Sequence, residues 1–401
     1  MVGIYDISII GAGAVGLATA YALIQKRPDL SIAVIDKEEK ESRHQTGHNS
    51  GVIHSGIYYK PGSYKAKNCI HGYQLLLEFA EENGIDHDVC GKLIVATNEK
   101  EMPLLQHIYE TGQKNGLDGL RILEREEALE IEPHINIHKA IKVPQTGIIH
   151  YADVAAALRS KLEEHQVDFF FAAPLTSVSG DNDTMVLQAG NREVRTKNLI
   201  NCAGLYSDKV AKMCGVDPGC LIIPFRGEYY EIIPQRQYLV NHLVYPVPNP
   251  DFPFLGVHFT RMIKGGIEAG PNAVFAFKRE GYSKWHVDWS ELTESITYPG
   301  FRKIAGKYWQ TGLGEIWRSY NKSAFVNALQ KLLPEIKSKD LKTGGAGVRA
   351  QALKPDGSLV DDFLIREEKN MVHVINAPSP AATSCLSIGE TVAGKMISQL
   401  N

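Results

Sequence analysis

The sequence lacks the features that mark several large classes of protein. Its six cysteines are scattered, with no C-x-x-C pair and no cysteine–histidine cluster at zinc spacing. No run of roughly 18 or more apolar residues occurs, and 43 basic against 46 acidic side chains leave a net charge of only −3. We therefore expect a reducing compartment, no structural metal, no conventional transmembrane helix and no global attraction to nucleic acid.

The start of the chain also lacks a basic leader. Its first apolar run, from Ile7 to Leu17, is interrupted by three glycines, so we expect it to belong to the fold rather than to a signal peptide. With 401 residues and 44% hydrophobic content, the chain is long enough for two or three domains with a large core. We expect a cytoplasmic location, with peripheral attachment at the inner face of the cell membrane as the alternative.

What the chain does contain at its start is a complete β-α-β pattern. Tyr5 to Ile10 is β-branched and apolar, a helical stretch runs to about Gln25, and Ser31 to Asp36 reads as a second, parallel strand. Between the first strand and the helix lies a G-x-G-x-x-G turn, and Asp36 follows its last glycine by 36 − 16 = 20 residues. This arrangement predicts a bound dinucleotide, with FAD and NAD both open, held by Gly11, Gly13, Ala14, Val15, Gly16, Asp36 and Lys37.

The segment from Ser42 to Tyr59 is dense in small residues and side-chain donors and has no apolar period. We expect neither a packed helix nor a core strand here. A glycine-rich, donor-rich loop beside a dinucleotide domain suits a second contact with the diphosphate and with one edge of a flavin ring. The alternative interpretation is a polar surface loop.

Several sequence blocks resemble one known family. They are His44 to Tyr59, Pro224 to Tyr230, Pro253 to Thr260, Gly270 to Val274, Ala276 to Tyr282, Gly347 to Ala352 and Asn376 to Thr383. The chain resembles the D-amino-acid-oxidase-like class of FAD oxidoreductases and, within that class, the L-2-hydroxyglutarate dehydrogenase/oxidase group. The blocks cover nearly the whole chain, and the His44 and Asn376 blocks are the specific ones.

The resemblance implies an extended FAD. Its ADP half would lie at the glycine turn, its flavin near the Thr46 to Ser50 region, and Val178 would be the adenine-side strand residue. The Asn201 to Gly204 turn would close over the adenosine, and Ser379 to Thr383 would bring a helix start to the flavin pyrimidine. The further cofactor-binding residues implied are His44, Thr46, Asn49, Ser50, Gly51, Val178, Cys202, Ala203, Gly204, Pro380, Ala381, Ala382 and Thr383, with His44 and His48 in hydrogen-bonding roles.

The same resemblance implies oxidation of a 2-hydroxy acid, L-2-hydroxyglutarate, to 2-oxoglutarate, with hydride passing to flavin N5. A neutral imidazole suits the removal of the hydroxyl proton, and His54 and His258 are the two candidates, with His54 preferred. A planar guanidinium holds a carboxylate in two hydrogen bonds, and Arg349 is the candidate for that role. Four residues are candidates for binding the second, distal carboxylate of the substrate, and the sequence does not choose among them: Arg226, Tyr58, Tyr59 and Tyr230.

Other functions compete with this one. An amine or amino-acid oxidase would use the same flavin and arginine, and a glycerol-3-phosphate dehydrogenase would need a cluster of cations for phosphate that the sequence does not offer. A flavin-binding or tRNA-modifying accessory protein without turnover is the candidate from another class. Either quinone or oxygen is expected to accept the electrons, and a quinone would imply peripheral membrane contact through aromatic residues such as Trp285 and Trp309.

The predicted architecture is therefore α/β, with a Rossmann-type FAD-binding domain interleaved with a mostly antiparallel-sheet α+β substrate domain. The strand-like runs assigned to the second sheet are Lys92 to Thr97, Gly227 to Ile233, Phe254 to Thr260 and Gly265 to Ala269. The predicted FAD-binding domain comprises residues 1–90, 145–215 and 340–401, and the predicted substrate domain comprises residues 91–144 and 216–339.

Overall fold

The computed structural model describes residues 3–180, 183–248 and 256–400. Its strands are β1 Ile4–Ile10, β2 Ile32–Ile35, β3 Val52–Ile53, β4 His87–Asp88, β5 Lys92–Ala96, β6 Arg121–Leu123, β7 Lys139–Val143, β8 Gly147–Ile149, β9 Asp168–Phe170, β10 Leu175–Gly180, β11 Met185–Ala189, β12 Arg192–Asn201, β13 Leu221–Ile232, β14 Leu243–Pro246, β15 His258–Arg261, β16 Ile267–Gly270, β17 Val274–Phe275, β18 Leu341–Leu353, β19 Leu364–Glu368 and β20 Met371–Asn376. Its helices are α1 Ala14–Lys26, α2 Tyr64–Glu82, α3 Met102–Lys114, α4 Arg125–Ile131, α5 Tyr151–Glu164, α6 Ser207–Met213, α7 Trp289–Thr297, α8 Pro299–Tyr320, α9 Lys322–Leu329 and α10 Cys385–Gln399.

The first sheet is built around the β1-α1-β2 unit that the sequence predicts. β1 lies between β2 and β12 and runs parallel to both, and β20 is parallel to β12. All four residues of β2 and the last four of β1 are buried, as expected of central parallel strands covered on both faces. The carboxyl ends of β1 and β12 therefore meet at one edge of the sheet, where ligands of such sheets bind.

Helices α1, α5 and α10 pack together on this sheet. Their shared apolar cluster includes Leu17 and Leu23 of α1, Leu158 of α5 and Val392 of α10. The first of these helices ends just before Pro28, which cannot continue the intrahelical hydrogen bonds. The packing fixes the direction in which α1 and α10 present their amino-terminal ends.

The second sheet has nine strands and is antiparallel except for the pair β5–β14. Its two longest strands, β13 and β18, pair along most of their length, from Leu221 beside Leu353 to Ile232 beside Leu341. The mixed α/β fold class predicted from the sequence is confirmed. Of the predicted strand Phe254 to Thr260, the first two residues lie outside the described residues, and β15 begins at His258.

The two sheets do not divide the chain at the predicted boundaries everywhere. β18 belongs to the nine-stranded sheet, although residues 340–401 were assigned to the predicted FAD-binding domain. The expectation that the segment from Ser42 to Tyr59 contains no core strand needs one correction, because Val52 and Ile53 form the short buried strand β3 beside β8. Two apolar residues suffice for this pairing, and they join the loop from Ser42 to Tyr59 to the rest of the fold.

Helices α7 to α9 form a separate layer beside the second sheet. α8 is interrupted at Tyr308, whose backbone angles are not helical. All four tryptophans of the chain are exposed in or beside these helices: Trp285, Trp289, Trp309 and Trp317. Among the described residues, no helix combines the length and the apolarity that crossing a membrane requires.

Candidate active site

The turn after β1 has the shape that a diphosphate requires. Gly11 has a φ of +109°, which favours glycine, and a Cβ atom there would overlap the carbonyl oxygen of Cys202. A Cβ atom on Gly16 would likewise overlap the carbonyl oxygen of Gly11. These glycines let the β1–α1 turn, the Cys202 turn and α1 approach one another closely, and the start of α1 lines the cleft above the sheet.

The second anchor of the turn is Asp36, which directly follows β2. Its carboxylate accepts hydrogen bonds from the backbone N–H of Ala12 at 2.6 Å and from that of Glu38 at 2.9 Å. Burial raises the pKa of this carboxyl group, and the two backbone hydrogen bonds partly offset the effect. Asp36 thus fixes the turn and lies beside the place where the ribose of a dinucleotide is expected.

The loop from Ser42 to Tyr59 is held against the turn by its own polar side chains. The Thr46 hydroxyl accepts a hydrogen bond from the Ala14 N–H at 3.0 Å, and Asn49 donates to the carbonyl oxygens of Gln45 and Thr46. The predicted cofactor residues Lys37 and His44 belong to a polar network with Glu38, Glu280 and Tyr282. This network ties the loop to the segment that follows β17.

A continuous cleft of about 1150 Å³ runs from the glycine turn to Arg349. Its volume lies above the usual range of roughly 300–1,000 Å³ for ligand pockets, which suits a dinucleotide together with a small acid. The predicted site residues that line it are Gly11, Gly13, Ala14, Val15, Asp36, Lys37, His44, Thr46, Asn49, Ser50, His54, Tyr58, Cys202, Ala203, Gly204, His258, Arg349, Pro380, Ala381 and Ala382. The donor set, the glycine cradle and the length of the cleft therefore fit FAD.

Six predicted site residues do not line this cleft: Gly16, Gly51, Val178, Arg226, Tyr230 and Thr383. Val178 packs into the apolar cluster of β10 to β12, and Ala173 to Leu175 reach the cleft at that end instead. Thr383 is buried behind the cleft. Its hydroxyl group accepts a hydrogen bond from the backbone N–H of His54 at 3.0 Å and forms another with the Tyr151 hydroxyl group at 2.8 Å. It therefore holds the His54 segment rather than facing a ligand.

The expectation that Arg226 or Tyr230 binds the distal carboxylate needs correction. The Arg226 guanidinium pairs with Glu228 at 3.0 Å and donates to the carbonyl oxygens of Gly281 and Ser283. The Tyr230 ring packs on the Phe325 ring of α9 in the apolar core of the nine-stranded sheet, with the two ring centroids 4.8 Å apart. Side chains alternate along a strand, so Tyr229 lies on the same face of β13 as Gly227, and both line the cleft, whereas Tyr230 lies on the other face.

At the far end of the cleft, two histidines and Arg349 come together. His258 is 5% exposed, and its Nδ1 lies 3.0 Å from the carbonyl oxygen of Gly256, an acceptor that requires Nδ1 to carry the proton. The Nε2 atom of His258 is therefore left with a lone pair. His54 lies nearby, with its Nε2 3.4 Å from the Ser379 hydroxyl.

Both imidazoles are neutral near pH 7. Burial lowers the pKa of His54 and of His258 to about 3, and the positive charges of Arg349 and Lys92 act in the same direction. A neutral imidazole with a free lone pair can accept a proton, whereas an imidazolium cannot. Both candidates are therefore in the protonation state that a general base needs.

Sequence reasoning missed three residues of this region: Lys92, Tyr229 and Tyr245. The Tyr245 ring packs against the His258 ring, with the ring centroids 4.0 Å apart and the ring planes inclined by 31°, and Tyr229 and Tyr245 both line the cleft. Lys92 lies behind Tyr245, and burial lowers the pKa of its ammonium group to about 7. A signal for Lys92 was present, because a lysine at the start of the otherwise apolar strand Lys92–Ala96 is unusual in a buried strand.

Comparison with known proteins places this geometry in a family. The model of the family described as FAD dependent oxidoreductase (DAO) matches residues 6–395. An L-2-hydroxyglutarate dehydrogenase of Indibacter alkaliphilus is 53% identical over 389 residues, which cover 97% of this chain and 98% of that protein. The enzyme of the same name from Escherichia coli K12 is 43% identical over 98% of this chain and 93% of its own length. The mitochondrial enzyme of Homo sapiens is 43% identical over 98% and 88%, respectively.

Solved structures share the fold at low sequence identity. The L-α-glycerophosphate oxidase of Mycoplasma pneumoniae, solved with FAD bound, has a TM-score of 0.79 and 23% identity, covering 100% of this chain and 95% of that chain. The glycine oxidase of Geobacillus kaustophilus has a TM-score of 0.74 and 16% identity over 98% and 95%. The glycine turn, the cleft and these full-length matches agree, and the chain belongs to the DAO family of FAD-dependent oxidoreductases.

Proposed function

We propose that this chain oxidises L-2-hydroxyglutarate to 2-oxoglutarate. The observation that carries the proposal is the far end of the cleft, where Arg349 and two neutral histidines face the same space. The names of relatives that are 43% to 53% identical over nearly the whole chain support the choice of substrate. FAD, when bound, supplies the acceptor for the hydride that leaves the hydroxyl-bearing carbon.

Each residue of the site has one task in this reaction. The Arg349 guanidinium binds the carboxylate next to the hydroxyl-bearing carbon and thereby orients that carbon. His258 accepts the hydroxyl proton at Nε2, because the hydrogen bond to Gly256 holds its own proton at Nδ1. The proton and the hydride together account for both hydrogens that the alcohol loses on becoming a ketone. The sequence alone favours His54, and the tautomer is what moves our choice to His258.

The direct test is anaerobic addition of L-2-hydroxyglutarate to the purified holoenzyme. We expect the absorption band of oxidised flavin to bleach and one equivalent of 2-oxoglutarate to form per flavin. L-Glutamate, which carries an amine in place of the hydroxyl group, serves as the control for amino-acid oxidase activity and is expected to leave the band unchanged. Bleaching by glutamate but not by the hydroxy acid would replace this proposal with the oxidase alternative.

We further propose that a membrane quinone takes the electrons from the reduced enzyme and that the enzyme contacts the bilayer through α8. Trp309, Leu313, Ile316, Trp317 and Tyr320 are all exposed and recur at the spacing of one helix face. Trp285 extends this surface, because its ring centroid lies 6.5 Å from that of Tyr320. These six residues form what we call the aromatic face.

The charges around the aromatic face favour an anionic lipid surface. The basic residues of α8 are Arg302, Lys303, Lys307 and Arg318, and its one acidic residue, Glu315, is buried and paired with Arg318. Trp317 is 62% exposed and Trp285 is 80% exposed. Aromatic rings beside basic side chains are typical of helices that lie in the interfacial region of a membrane.

The membrane contact can be tested with vesicles of phosphatidylcholine and phosphatidylglycerol. We expect the holoenzyme to sediment with them and the double variant Trp309→Ser/Trp317→Ser to bind about tenfold more weakly, because two large apolar groups are lost from the interface. Tyr238→Ser removes an exposed aromatic residue outside α8 and is the matched control. Equal binding by both variants, or reoxidation by oxygen as fast as by a short-chain quinone, would contradict the proposal.

A further inference from the structure

Lys92 is a buried lysine that lies behind Tyr58 and Tyr245, two residues that line the cleft, and does not itself line it. Its side chain is 2% exposed, and within the residues that the structure describes it forms no salt bridge. In the parallel pair β5–β14, Lys92 lies beside Leu243 and Ile94 beside Tyr245. Because side chains alternate along strands, Lys92 lies on the same face of the sheet as Tyr245, which lines the cleft.

Two tyrosine rings enclose the Lys92 ammonium group. Its Nζ atom lies 4.7 Å from the ring centroid of Tyr58 and 4.8 Å from that of Tyr245. Ring faces attract a cation, but they replace only part of the hydration that a lysine loses on burial. A buried charge of this kind is normally paired with an anion, and the described protein residues provide none for Lys92.

The Tyr58 hydroxyl group is the second unmatched group at this place. Tyr58 lines the cleft, and its oxygen is buried without a hydrogen-bond partner among the described residues. Burial holds the pKa of this phenol well above its ordinary value, so the hydroxyl group keeps its proton and can donate. An unmatched donor next to an unmatched cation is the arrangement that binds a carboxylate.

We propose that Lys92 and Tyr58 form the subsite for the second carboxylate of the substrate and so select five-carbon dicarboxylates over monocarboxylates. The Tyr58 hydroxyl group donates the hydrogen bond, and Lys92 behind it supplies a positive charge in its protonated form, which the bound carboxylate stabilises. This inference rests on the proposed function, which assigns the first carboxylate to Arg349. It also answers the question that the sequence left open among Tyr58, Tyr59, Arg226 and Tyr230.

The positions of the other groups agree with this assignment. The charges of Lys92 and Arg349 both act on His54 and on His258, so each histidine is within electrostatic range of both cations. L-2-Hydroxyglutarate has its hydroxyl group beside one carboxylate and its second carboxylate at the other end of a short chain. Arg349 and a histidine that line the pocket, together with Lys92 behind Tyr58, match those three groups.

Binding of two unreactive acids to the holoenzyme tests the subsite without turnover. Glutarate and valerate have the same number of carbons and differ in one carboxylate. We expect calorimetry to show tighter binding of glutarate by the wild type, and Lys92→Met to reduce the ratio of the two dissociation constants about tenfold, because a positive charge close to the second carboxylate is lost from a buried site. Tyr58→Phe is expected to reduce the same ratio about threefold. Valerate binding should stay within about twofold in both variants, since neither acts on the first carboxylate.

Lys65→Met is the matched control, because Lys65 is a second lysine at the cleft, which it lines, but has Asp361 and Asp362 as acidic neighbours. It should keep the wild-type ratio. A wild-type ratio in Lys92→Met, or an equal loss of affinity for both acids, would overturn the inference. Should Lys92→Met not fold, Tyr58→Phe decides alone, and an unchanged ratio there would also overturn it. Failure of the proposed function appears separately, as an unbleached flavin with L-2-hydroxyglutarate.

Discussion

Replacing His258 with Asn is expected to slow flavin reduction by L-2-hydroxyglutarate by about 10²–10⁴-fold, the usual contribution of a positioned general base. Asparagine can still donate to the Gly256 carbonyl oxygen, but its amide cannot accept the hydroxyl proton. The rate of flavin reduction in an anaerobic stopped-flow experiment measures the step directly, because it precedes any electron acceptor. Flavin content should remain that of the wild type, since His258 lies at the substrate end of the cleft.

His54→Asn is the comparison that identifies the base. His54 is equally neutral, but its Nε2 already lies 3.4 Å from the Ser379 hydroxyl group, and its backbone is held by Thr383. We therefore expect a smaller loss, of about tenfold or less, from altered positioning. The opposite order, with His54→Asn the slower variant, would return the role to His54. Equal rates for both variants and the wild type would exclude imidazole as the base.

Replacing Arg349 has the second of the two largest expected effects. Arg349→Lys should raise KM or lower turnover at least about tenfold, because one ammonium group cannot reproduce two parallel hydrogen bonds to a carboxylate. Arg349→Met should lower kcat/KM about 10²–10³-fold, as for a charged partner removed from a buried pair. Steady-state kinetics with a soluble quinone analogue, together with flavin reduction rates, separates weaker binding from misplacement of the reacting carbon.

Lys342→Met provides the matched control on the same strand. Lys342 lies on β18, as Arg349 does, but it is exposed and pairs with Glu231. Its loss should leave kcat and KM within about twofold of the wild type, since exposed ion pairs contribute little. Wild-type kinetics in Arg349→Lys would contradict the assignment of the substrate carboxylate to Arg349.

The cofactor half of the cleft was the part most open to prediction from sequence. A strand, a glycine turn and a helix are consecutive in the chain, so the spacing of Gly11, Gly13, Gly16 and Asp36 implies a local shape. The predicted turn residues Gly11, Gly13 and Asp36 line the cleft, and the membership of the FAD-dependent family agrees with them. The roles of the individual residues stay predictions.

The substrate half was harder to predict because it depends on strand register and on distant packing. The block Pro224 to Tyr230 offers two adjacent tyrosines, and the position of β13 in the folded sheet determines which one faces the cleft. Lys92 and Tyr58 are 34 residues apart, from 92 − 58, and no pattern along the chain joins them. The Lys92 ammonium group and the Tyr58 ring meet because β5 and the loop before α2 pack against each other in the folded chain.

The exposure of the tryptophans is a second property that depends on distant packing. The sequence predicts a membrane contact of Trp285 and Trp309 only if a quinone accepts the electrons. Trp309 lies on α8 and Trp285 precedes α7, and the exposure of both follows from where these segments lie in the fold, which no local pattern specifies. The spacing of the aromatic face along α8 was visible in the sequence, but which side of the helix is covered was not.

By itself, the sequence determined the dinucleotide turn, the α/β class and the family, because these depend on residues that are close in the chain and on motifs specific to the group. Only the tertiary structure decided which tyrosine faces the substrate, which nitrogen of His258 is free and where the buried charge of Lys92 lies. Those properties depend on register, burial and contacts between distant segments, and burial is also what keeps the histidines neutral.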